Sequence, residues 1–416
     1  MTATARRAPS AAILGATLVL TSLNLRAAVT SVGALLRDIQ VDLAMTDTVA
    51  GVLTTLPVLA FGVFGLLAAR LARRIGTSRA LVLALVIMAV GLAARALSPS
   101  QVWLLALTVI TLAGMAIGNV LVPVAVKAWF PDSVGRVTGY YSVAILLGTS
   151  IPAAASVPLA EALGGWRAGI GWWALPAAVA LLPWLAVRWS TPAGTPMIAD
   201  RVIASAENAR HATGAAELGR RVRRRPQSWA LMVFFGIQST EAYVAMGWFA
   251  TILQDAGVSA SRAGWLLAVA MGLSAPLALI VPRMAGRRPD QRAWVVVLTA
   301  ASVVAYVGLL IAPGAAPLVW AVFLGVGLGA FPLALLMIGL RARTSAGTGA
   351  LSSLTQGYGY LLAATGPFAV GALHDATGTW NVPLAVLLGL LVPKLFAGLI
   401  VGRPGFVDDP PAAATM

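Results

Sequence analysis

Apolar runs of about twenty residues recur along this 416-residue chain. A helix needs roughly 20 consecutive apolar residues to cross the hydrocarbon core of a bilayer. In lipid every backbone N–H and C=O group must be satisfied within the span, which favours helices. The sequence therefore predicts an all-α integral membrane protein with twelve transmembrane helices, at about residues 11–32, 47–69, 79–97, 101–126, 136–159, 168–188, 228–252, 263–282, 293–312, 317–340, 349–372 and 381–401.

Charged residues are scarce, which supports this assignment. They make up 10% of the chain, whereas hydrophobic residues make up 59%. A soluble globular protein has about 25% charged residues. Arg6 and Arg7 precede the first apolar run in the manner of a signal peptide. The run is too long for a signal peptide and further spans follow it, so we expect it to remain as a span.

The residue inventory argues against an enzyme. The chain has no cysteine, which excludes disulfides, a thiolate nucleophile and cysteine metal sites. Its two histidines, His211 and His374, fall in predicted loops. It has no Gly-x-x-x-x-Gly-Lys-Ser/Thr loop for ATP phosphates. We therefore expect no cofactor and no metal, and the absence of an appended soluble domain argues against a non-transporting sensor.

The basic residues predict the orientation in the membrane. With the N-terminus in the cytoplasm, most of the 29 lysines and arginines lie in cytoplasmic loops, as the positive-inside rule requires. Both termini are then cytoplasmic, in the plasma membrane of a bacterium. The cluster Arg220–Arg225 fits topology and contact with anionic lipids better than a regulatory or nucleic-acid role.

A polar segment divides the chain into two related parts. It predicts an N-terminal six-helix bundle at 1–188, a cytoplasmic basic linker at 189–227, and a C-terminal six-helix bundle with a cytoplasmic tail at 228–416. A shift of 213 residues aligns the two bundles at several positions. Parallel repeats of this kind are typical of secondary transporters with a binding site near the membrane midplane. The aligned pairs include Asp42 with Asp255, Arg70 with Arg283, Arg74 with Arg287 and Arg79 with Arg292.

Arg26 interrupts the first apolar run. A guanidinium stays charged, so within hydrocarbon it needs a partner, water or an anion. It can form a bidentate pair with a planar anion, which makes Arg26 the first candidate for substrate binding. The alternative is that Arg26, about six residues from the predicted outer end of its helix, extends to the interface. Asn24 is a second candidate, although it points to another side of the helix.

The repeat places a polar stretch of the seventh run opposite Arg26. Glu241 is the acid that lies well within a span, so it is a candidate proton carrier. The alternatives are a static ion pair, for example with Arg26, or a hydrated residue lining the pore. Further substrate-binding candidates, all polar residues within spans, are Asn119, Gln238, Tyr243, Gln356 and Tyr360.

Six strings in the chain carry a family resemblance. They are Asn24-Leu-Arg-Ala-Ala-Val-Thr-Ser-Val-Gly33, Gly51-Val-Leu-Thr-Thr-Leu-Pro-Val58, Gly118-Asn-Val-Leu-Val-Pro123, Gly164-Gly-Trp-Arg167, Leu253-Gln-Asp-Ala-Gly257 and Leu373-His-Asp-Ala-Thr-Gly378. These strings resemble the cyanate/nitroimidazole transporter family of the major facilitator superfamily. The resemblance implies two six-helix bundles around a central site for a small substrate. The superfamily's acidic position in the loop between spans 2 and 3 is Arg73 here. We expect gating by arginines at helix ends, Arg70, Arg74, Arg283 and Arg287.

Together these features predict a secondary active transporter, a symporter or antiporter, for a small anionic or dipolar solute related to cyanate. The alternative is a proton-driven exporter of nitroimidazole-type or other drug-like compounds. Energy would come from the proton gradient or from substrate exchange. The expected partners are the small-molecule substrate, protons and membrane lipids, with no nucleic acid, and the expected state is a monomer.

Overall fold

The computed structural model describes residues 11–184 and 213–409. Within these ranges the regular elements are all helical, as predicted. In the first half they are α1 (Ala11–Leu23), α2 (Ala27–Asp42), α3 (Asp47–Ile75), α4 (Thr77–Ala96), α5 (Gln101–Trp129), a short 3-10 turn (Pro131–Ser133), α6 (Val134–Leu163), α7 (Trp166–Gly171) and α8 (Ala174–Val179). In the second half they are α9 (Thr213–Arg224), α10 (Pro226–Asp255), α11 (Ala260–Gly272), α12 (Ser274–Ala285), α13 (Arg292–Ile311), α14 (Pro317–Gly327), α15 (Ala330–Leu340), α16 (Ser345–Thr377) and α17 (Asn381–Val401).

Nine helical stretches of the described chain are long and apolar enough to cross a membrane. Two further helices, α10 and α16, are 30 and 33 residues long and carry polar residues in their middle. They occupy the seventh and eleventh predicted spans. The sixth predicted span begins with α7 and α8 and continues beyond the described residues. The count of twelve spans stays a prediction, as does the division at 189–227. His211 and most of that linker lie outside the described ranges.

Two of the predicted boundaries that were wrong lie close to candidate residues. The first span does not end near residue 32, because α2 continues to Asp42. Its last turns carry Arg37, Asp38 and Gln40, whose polarity resembled a loop in the sequence. Arg26 is therefore 16 residues from the end of the helix. Similarly α16 continues to Thr377, so His374 lies in a helix and not in a loop.

The two halves share their large apolar core at one end of the molecule. This core joins Val32 and Leu36 of α2 with Trp248 and Leu253 of α10, together with the adjacent ends of the other long helices. We call this end the sealed face. Toward the opposite end, which holds both described chain ends, the cores separate. The buried members of one precede residue 185, and those of the other follow residue 221.

Gly33 allows the closest approach across the sealed face. A Cβ at Gly33 would lie 1.8 Å from the backbone oxygen of Met246 on α10. Any side chain there must push the halves apart, because overpacking costs about 1–3 kcal/mol.

We therefore expect Gly33→Leu to open the sealed face. A single cysteine placed at the buried Thr54 should then react with a membrane-impermeant thiol reagent supplied to that face, because the natural chain has no cysteine of its own. Gly62→Leu is the matched control, since a Cβ at Gly62 meets nothing within 4 Å. Equal labelling in the two variants would contradict this interpretation.

Candidate substrate site

The first span is broken at its centre. Helix α1 ends at Leu23, α2 begins at Ala27, and Arg26 occupies the N-cap position with φ −137° and ψ −12°. A break removes hydrogen bonds from the helical ladder, so nearby carbonyl groups need other donors. The amide of Asn24 donates to Leu20 O at 2.8 Å, and Arg26 Nη1 donates to Leu25 O at 3.1 Å. The side chains of Asn24 and Arg26 thus donate hydrogen bonds to two backbone carbonyl groups next to the break.

Arg26 lies among side chains from both halves. Its guanidinium is over the ring of Phe61 on α3, 4.6 Å from the ring centroid. Phe61 in turn adjoins the cluster that contains Tyr243 of α10, and Tyr360 of α16 adjoins the same cluster. Arg26 itself is half-buried. No carboxylate of residues 11–184 or 213–409 lies within ion-pair distance of it. We call Arg26, Phe61, Tyr243 and Tyr360 the Arg26 site.

Apolar packing holds the rings of the Arg26 site in place. Tyr243 packs with Val58 of α3 and with Ala363 and Ala364 of α16, in a small cluster that Phe61, Met246 and Tyr360 adjoin. Tyr360 also meets Phe235 edge to face, with ring centroids 5.1 Å apart. Aromatic pairs of this geometry contribute about 0.5–1.5 kcal/mol beyond burial. The site therefore combines one cation, two phenol groups and flat apolar walls.

Glu241 does not pair with Arg26. It accepts a hydrogen bond through Oε2 from Lys394 Nζ on α17, and both side chains are almost completely buried. Tyr243 is two positions after Glu241, which turns the two side chains about 200° apart on α10. Tyr243 faces the Arg26 site, whereas Glu241 faces α13 and α17 within the C-terminal half. Glu241 thus forms a buried ion pair, with Lys394 and not with Arg26.

The surroundings of the pair are polar and incompletely satisfied. Ser302 Oγ on α13 lies 3.5 Å from Lys394 Nζ. Glu241 Oε1, Gln238 Oε1 and the hydroxyl of Tyr306 are buried and have no hydrogen-bond partner in the described chain. Unpaired buried polar atoms are costly and are uncommon in native proteins. The two free oxygen atoms of Glu241 and Gln238 can each accept a further hydrogen bond, and the Tyr306 hydroxyl can donate one.

The sequence reasoning missed two residues of these two sites, Lys394 and Phe61, and also the buried Arg95 of the N-terminal half. Lys394 had a usable signal, because it is one of only two lysines in the chain and lies in the middle of an apolar run. Arg95 is also a charged residue within a predicted span, but it lies two residues from the end of that span, where a charge is less unusual. It is fully buried in the N-terminal half, and its Nη1 donates to Ala28 O at 3.2 Å. Phe61 had no signal, because aromatic residues are ordinary in a span.

Two of the predicted substrate ligands are held away from the Arg26 site. Asn24 directs its amide toward α8 inside the N-terminal half, 3.3 Å from Pro176 O. Gln238 lies on α10 and donates to its neighbour Ser239 Oγ at 2.7 Å.

Gln356 lies on α16 one turn before Tyr360 and donates to Ser352 Oγ at 2.7 Å. Asn119 is half-buried on α5, next to Gly118, which adjoins Leu25 at the break. Of the seven predicted ligands, the structure brings together Arg26, Tyr243 and Tyr360.

The four predicted gating arginines lie at the ends of two helices away from the sealed face. Arg70 and Arg74 are in the last turns of α3, and Arg283 and Arg287 are at or just after the end of α12. All four are exposed. None of them lies within ion-pair distance of a carboxylate among the described residues. Gating by these arginines stays a prediction.

Comparison with known proteins agrees with this architecture. The sequence profile of the Major Facilitator Superfamily matches residues 16–367. A 2-nitroimidazole transporter of Escherichia coli strain K12 is 36% identical over 392 residues, covering 94% of this chain and 95% of that protein. The cyanate transport protein CynX of the same strain is 31% identical over 383 residues, covering 91% and 95%.

A solved structure has the same fold. It is a bacterial homologue of the human lysosomal transporter Spinster in an inward-facing and occupied conformation. It superposes with a TM-score of 0.75 at 16% identity, over 96% of this chain and 97% of that one. The resemblance found in the sequence is confirmed, and so is the expectation that the chain is not an enzyme. The chain belongs to the major facilitator superfamily and is a multi-pass membrane transporter.

Proposed function

We propose that this chain is a secondary active transporter that binds a small planar anion, or a small solute with a strong dipole, at the Arg26 site. The observation that carries the proposal is a half-buried guanidinium, shared between the halves, with no carboxylate partner in the described ranges. A guanidinium pairs with carboxylate-like groups through two parallel hydrogen bonds. The Phe61 ring and the two phenols suit a flat solute rather than a globular one.

The distribution of charge supports an anion. The N-terminal half places Arg26 and Arg95 within its spans, and neither pairs with a described carboxylate. In the C-terminal half Glu241 and Lys394 cancel each other. The interior around the Arg26 site is therefore net positive. At an effective dielectric constant of about 20, two unit charges about 4 Å apart interact by about 4 kcal/mol. That attraction offsets part of the cost of removing an anion from water.

Transport would proceed by alternating access. The Arg26 site draws on α2 and α3 from one half and on α10 and α16 from the other. Rocking of the halves would break these shared contacts on one side and form them on the other. With both termini in the cytoplasm of a bacterial cell, the sealed face would be external and the site would open inward. Glu241, in its buried pair with Lys394, is the group we propose for proton coupling.

Export of nitroimidazole-type compounds is the second candidate, and the Arg26 site also favours it. A nitro group presents two partly negative oxygens in one plane, as a carboxylate does, and an azole ring can stack on Phe61. The relative named a 2-nitroimidazole transporter gives this candidate its support. Accumulation measured in right-side-out and in inside-out vesicles would distinguish uptake from export.

Ligand-dependent stabilisation of the purified protein tests the site. The probes are cyanate and 4-hydroxybenzoate, the second being a flat aromatic carboxylate. We expect both to raise the melting temperature, because a ligand at 100 times its Kd stabilises the native state by about 2.7 kcal/mol. The matched neutral control is 4-hydroxybenzamide, which has the same ring and no charge. For the second candidate, 2-nitroimidazole is compared with imidazole. Equal stabilisation by the carboxylate and its amide would contradict an anion site.

A further inference from the structure

We propose that the last turn of α16 is a proton-controlled latch, in which protonated His374 holds the sealed face closed and loss of that proton favours opening. The proposal rests on the alternating access proposed above and goes beyond it. It concerns a contact between the halves that lies away from both the Arg26 site and the Glu241–Lys394 pair.

The first component of the latch is Asp375. Its Oδ1 accepts a hydrogen bond from Asp47 N at 2.9 Å, and its Oδ2 accepts one from Thr48 N at 2.6 Å. The hydroxyl of Thr48 donates to the same carboxylate. These donors are the free N–H groups at the beginning of α3, where a carboxylate is also favoured by the helix dipole. The helix belongs to the N-terminal half and the carboxylate to the C-terminal half, so this cap ties the halves together.

The other end of α16 has a cap of a different kind. Asp408 accepts hydrogen bonds from Arg343 N at 3.0 Å and from Thr344 N at 3.0 Å. It therefore closes the beginning of α16 with a residue of the same half. Movement of the halves leaves this cap intact. Of these two aspartate caps, only that of Asp375 has to break when the sealed face opens.

The second component is His374. Its Nδ1 lies 2.7 Å from Asp47 Oδ2, again across the halves. Its ring stacks on Trp380, with ring centroids 3.9 Å apart and 20° between the planes. Histidine is the side chain whose charge changes between about pH 5 and pH 8. The contact with Asp47 is an ion pair when the ring is protonated and a single neutral hydrogen bond when it is not.

The charged groups around His374 are mostly acidic. Asp375 is adjacent to it on α16, and Asp47 faces it from α3. Asp255 at the end of α10 accepts a hydrogen bond from Trp380 Nε1 at 2.9 Å. The basic group nearby is Arg37 of α2, which pairs with Asp255 at 2.8 Å. Gln40 Nε2 donates to Asp47 Oδ1 at 2.6 Å and is neutral.

Arg37 is therefore already engaged with Asp255, and protonated His374 is the cation available to Asp47 in this group. Acidification should strengthen closure, and a rise in pH should weaken it.

The proton of the latch is not a transported proton. His374 and Asp47 have side-chain exposures of 17% and 21%, and this exposure is at the sealed face. The apolar core of that face separates them from the Arg26 site. A proton therefore reaches His374 and leaves it from the same side of the membrane. The latch senses pH on that side without adding to the number of protons moved per cycle.

Accessibility of a buried cysteine measures the latch without a transport assay. The natural chain has no cysteine, so Thr54→Cys gives a single reporter between α3 and α10, just inside the sealed face. A membrane-impermeant thiol reagent is supplied to the sealed face in oriented vesicles, at about pH 5.5 and about pH 8. Thiol reactivity itself rises with pH. The rate is therefore divided by that of Val41→Cys, a position at the same face that is 78% exposed.

We expect this ratio to rise about fivefold from the lower to the higher pH. A fivefold change in the equilibrium between closed and open forms corresponds to about 1 kcal/mol, the upper end of the range for an ion pair at a protein surface. In His374→Gln the ratio should be high and independent of pH, and in His374→Lys it should be low at both pH values. Asp375→Asn is the matched control, because it removes the cap and keeps the histidine. It should raise the ratio at both pH values and preserve the pH dependence.

Two results would overturn the latch alone. One is a labelling ratio that does not change with pH when the reporter cysteine is the sole substitution. The other is a pH dependence of the ratio that survives when His374→Gln is added. A reporter that stays unreactive in every variant, including Gly33→Leu, would instead contradict alternating access at this face, and the latch with it. The loss of alternating access and the loss of the latch are thus distinguished.

Discussion

Replacement of Arg26 by glutamine is expected to abolish transport of an anionic substrate while the protein remains folded in the membrane. Arg26 makes one hydrogen bond to its own chain, at Leu25 O, and pairs with no described carboxylate. Its removal therefore breaks no ion pair there. The substrate would lose a charge-assisted bidentate contact, worth about 3 kcal/mol, or about a hundredfold in affinity. The measurement is uptake of labelled substrate in proteoliposomes at several concentrations.

Two further variants show whether charge or geometry matters at Arg26. Arg26→Lys keeps the charge and loses the planar fork, so we expect weakened and not abolished transport. Arg262→Gln removes an exposed arginine elsewhere and should transport normally. Near-normal uptake in Arg26→Gln would contradict the anion site. That result would favour an exporter of other drug-like compounds, recognised mainly by stacking on the Phe61 ring rather than through Arg26.

The sequence was sufficient to predict the fold class and to single out Arg26, which the structure places close to side chains of both halves. Long apolar runs are a direct consequence of the bilayer, and Arg26 was conspicuous because a charge is costly there. The sequence could not locate the end of the first span. Arg37 and Asp38 resemble a loop in composition, but a helix can continue beyond the hydrocarbon region, where polar side chains are satisfied by water and by other helices.

The repeat predicted the position of the polar groups but not their direction. A shift of 213 residues places Ser239 opposite Arg26 and Glu241 opposite Ala28. Two positions along a helix change the direction of a side chain by about 200°. Glu241 consequently faces away from the Arg26 site. Its partner Lys394 is 153 positions later in the chain. Their pairing depends on how α10 and α17 are rotated against each other, which spacing along the chain does not specify.

The buried pair gives the second large expected effect. Glu241→Gln should leave Lys394 as an unpaired charge in the C-terminal core. Removing one partner of a buried ion pair costs about 3–5 kcal/mol. We therefore expect low yield and a melting temperature well below that of the natural sequence. The double variant Glu241→Gln, Lys394→Met removes both charges and should recover most of that loss, because replacing a whole buried pair is often neutral.

The double variant also tests whether Glu241 carries the coupled proton. If it does, the stable double variant should still exchange substrate across the membrane but should not accumulate it against a gradient when a pH difference is imposed. The single variant cannot decide this, because instability and loss of coupling would look alike. Accumulation that follows the imposed pH difference in the double variant would assign the pair a structural role only. The coupled proton would then have to bind at the Arg26 site or with the substrate itself, since the latch exchanges protons with one side of the membrane alone.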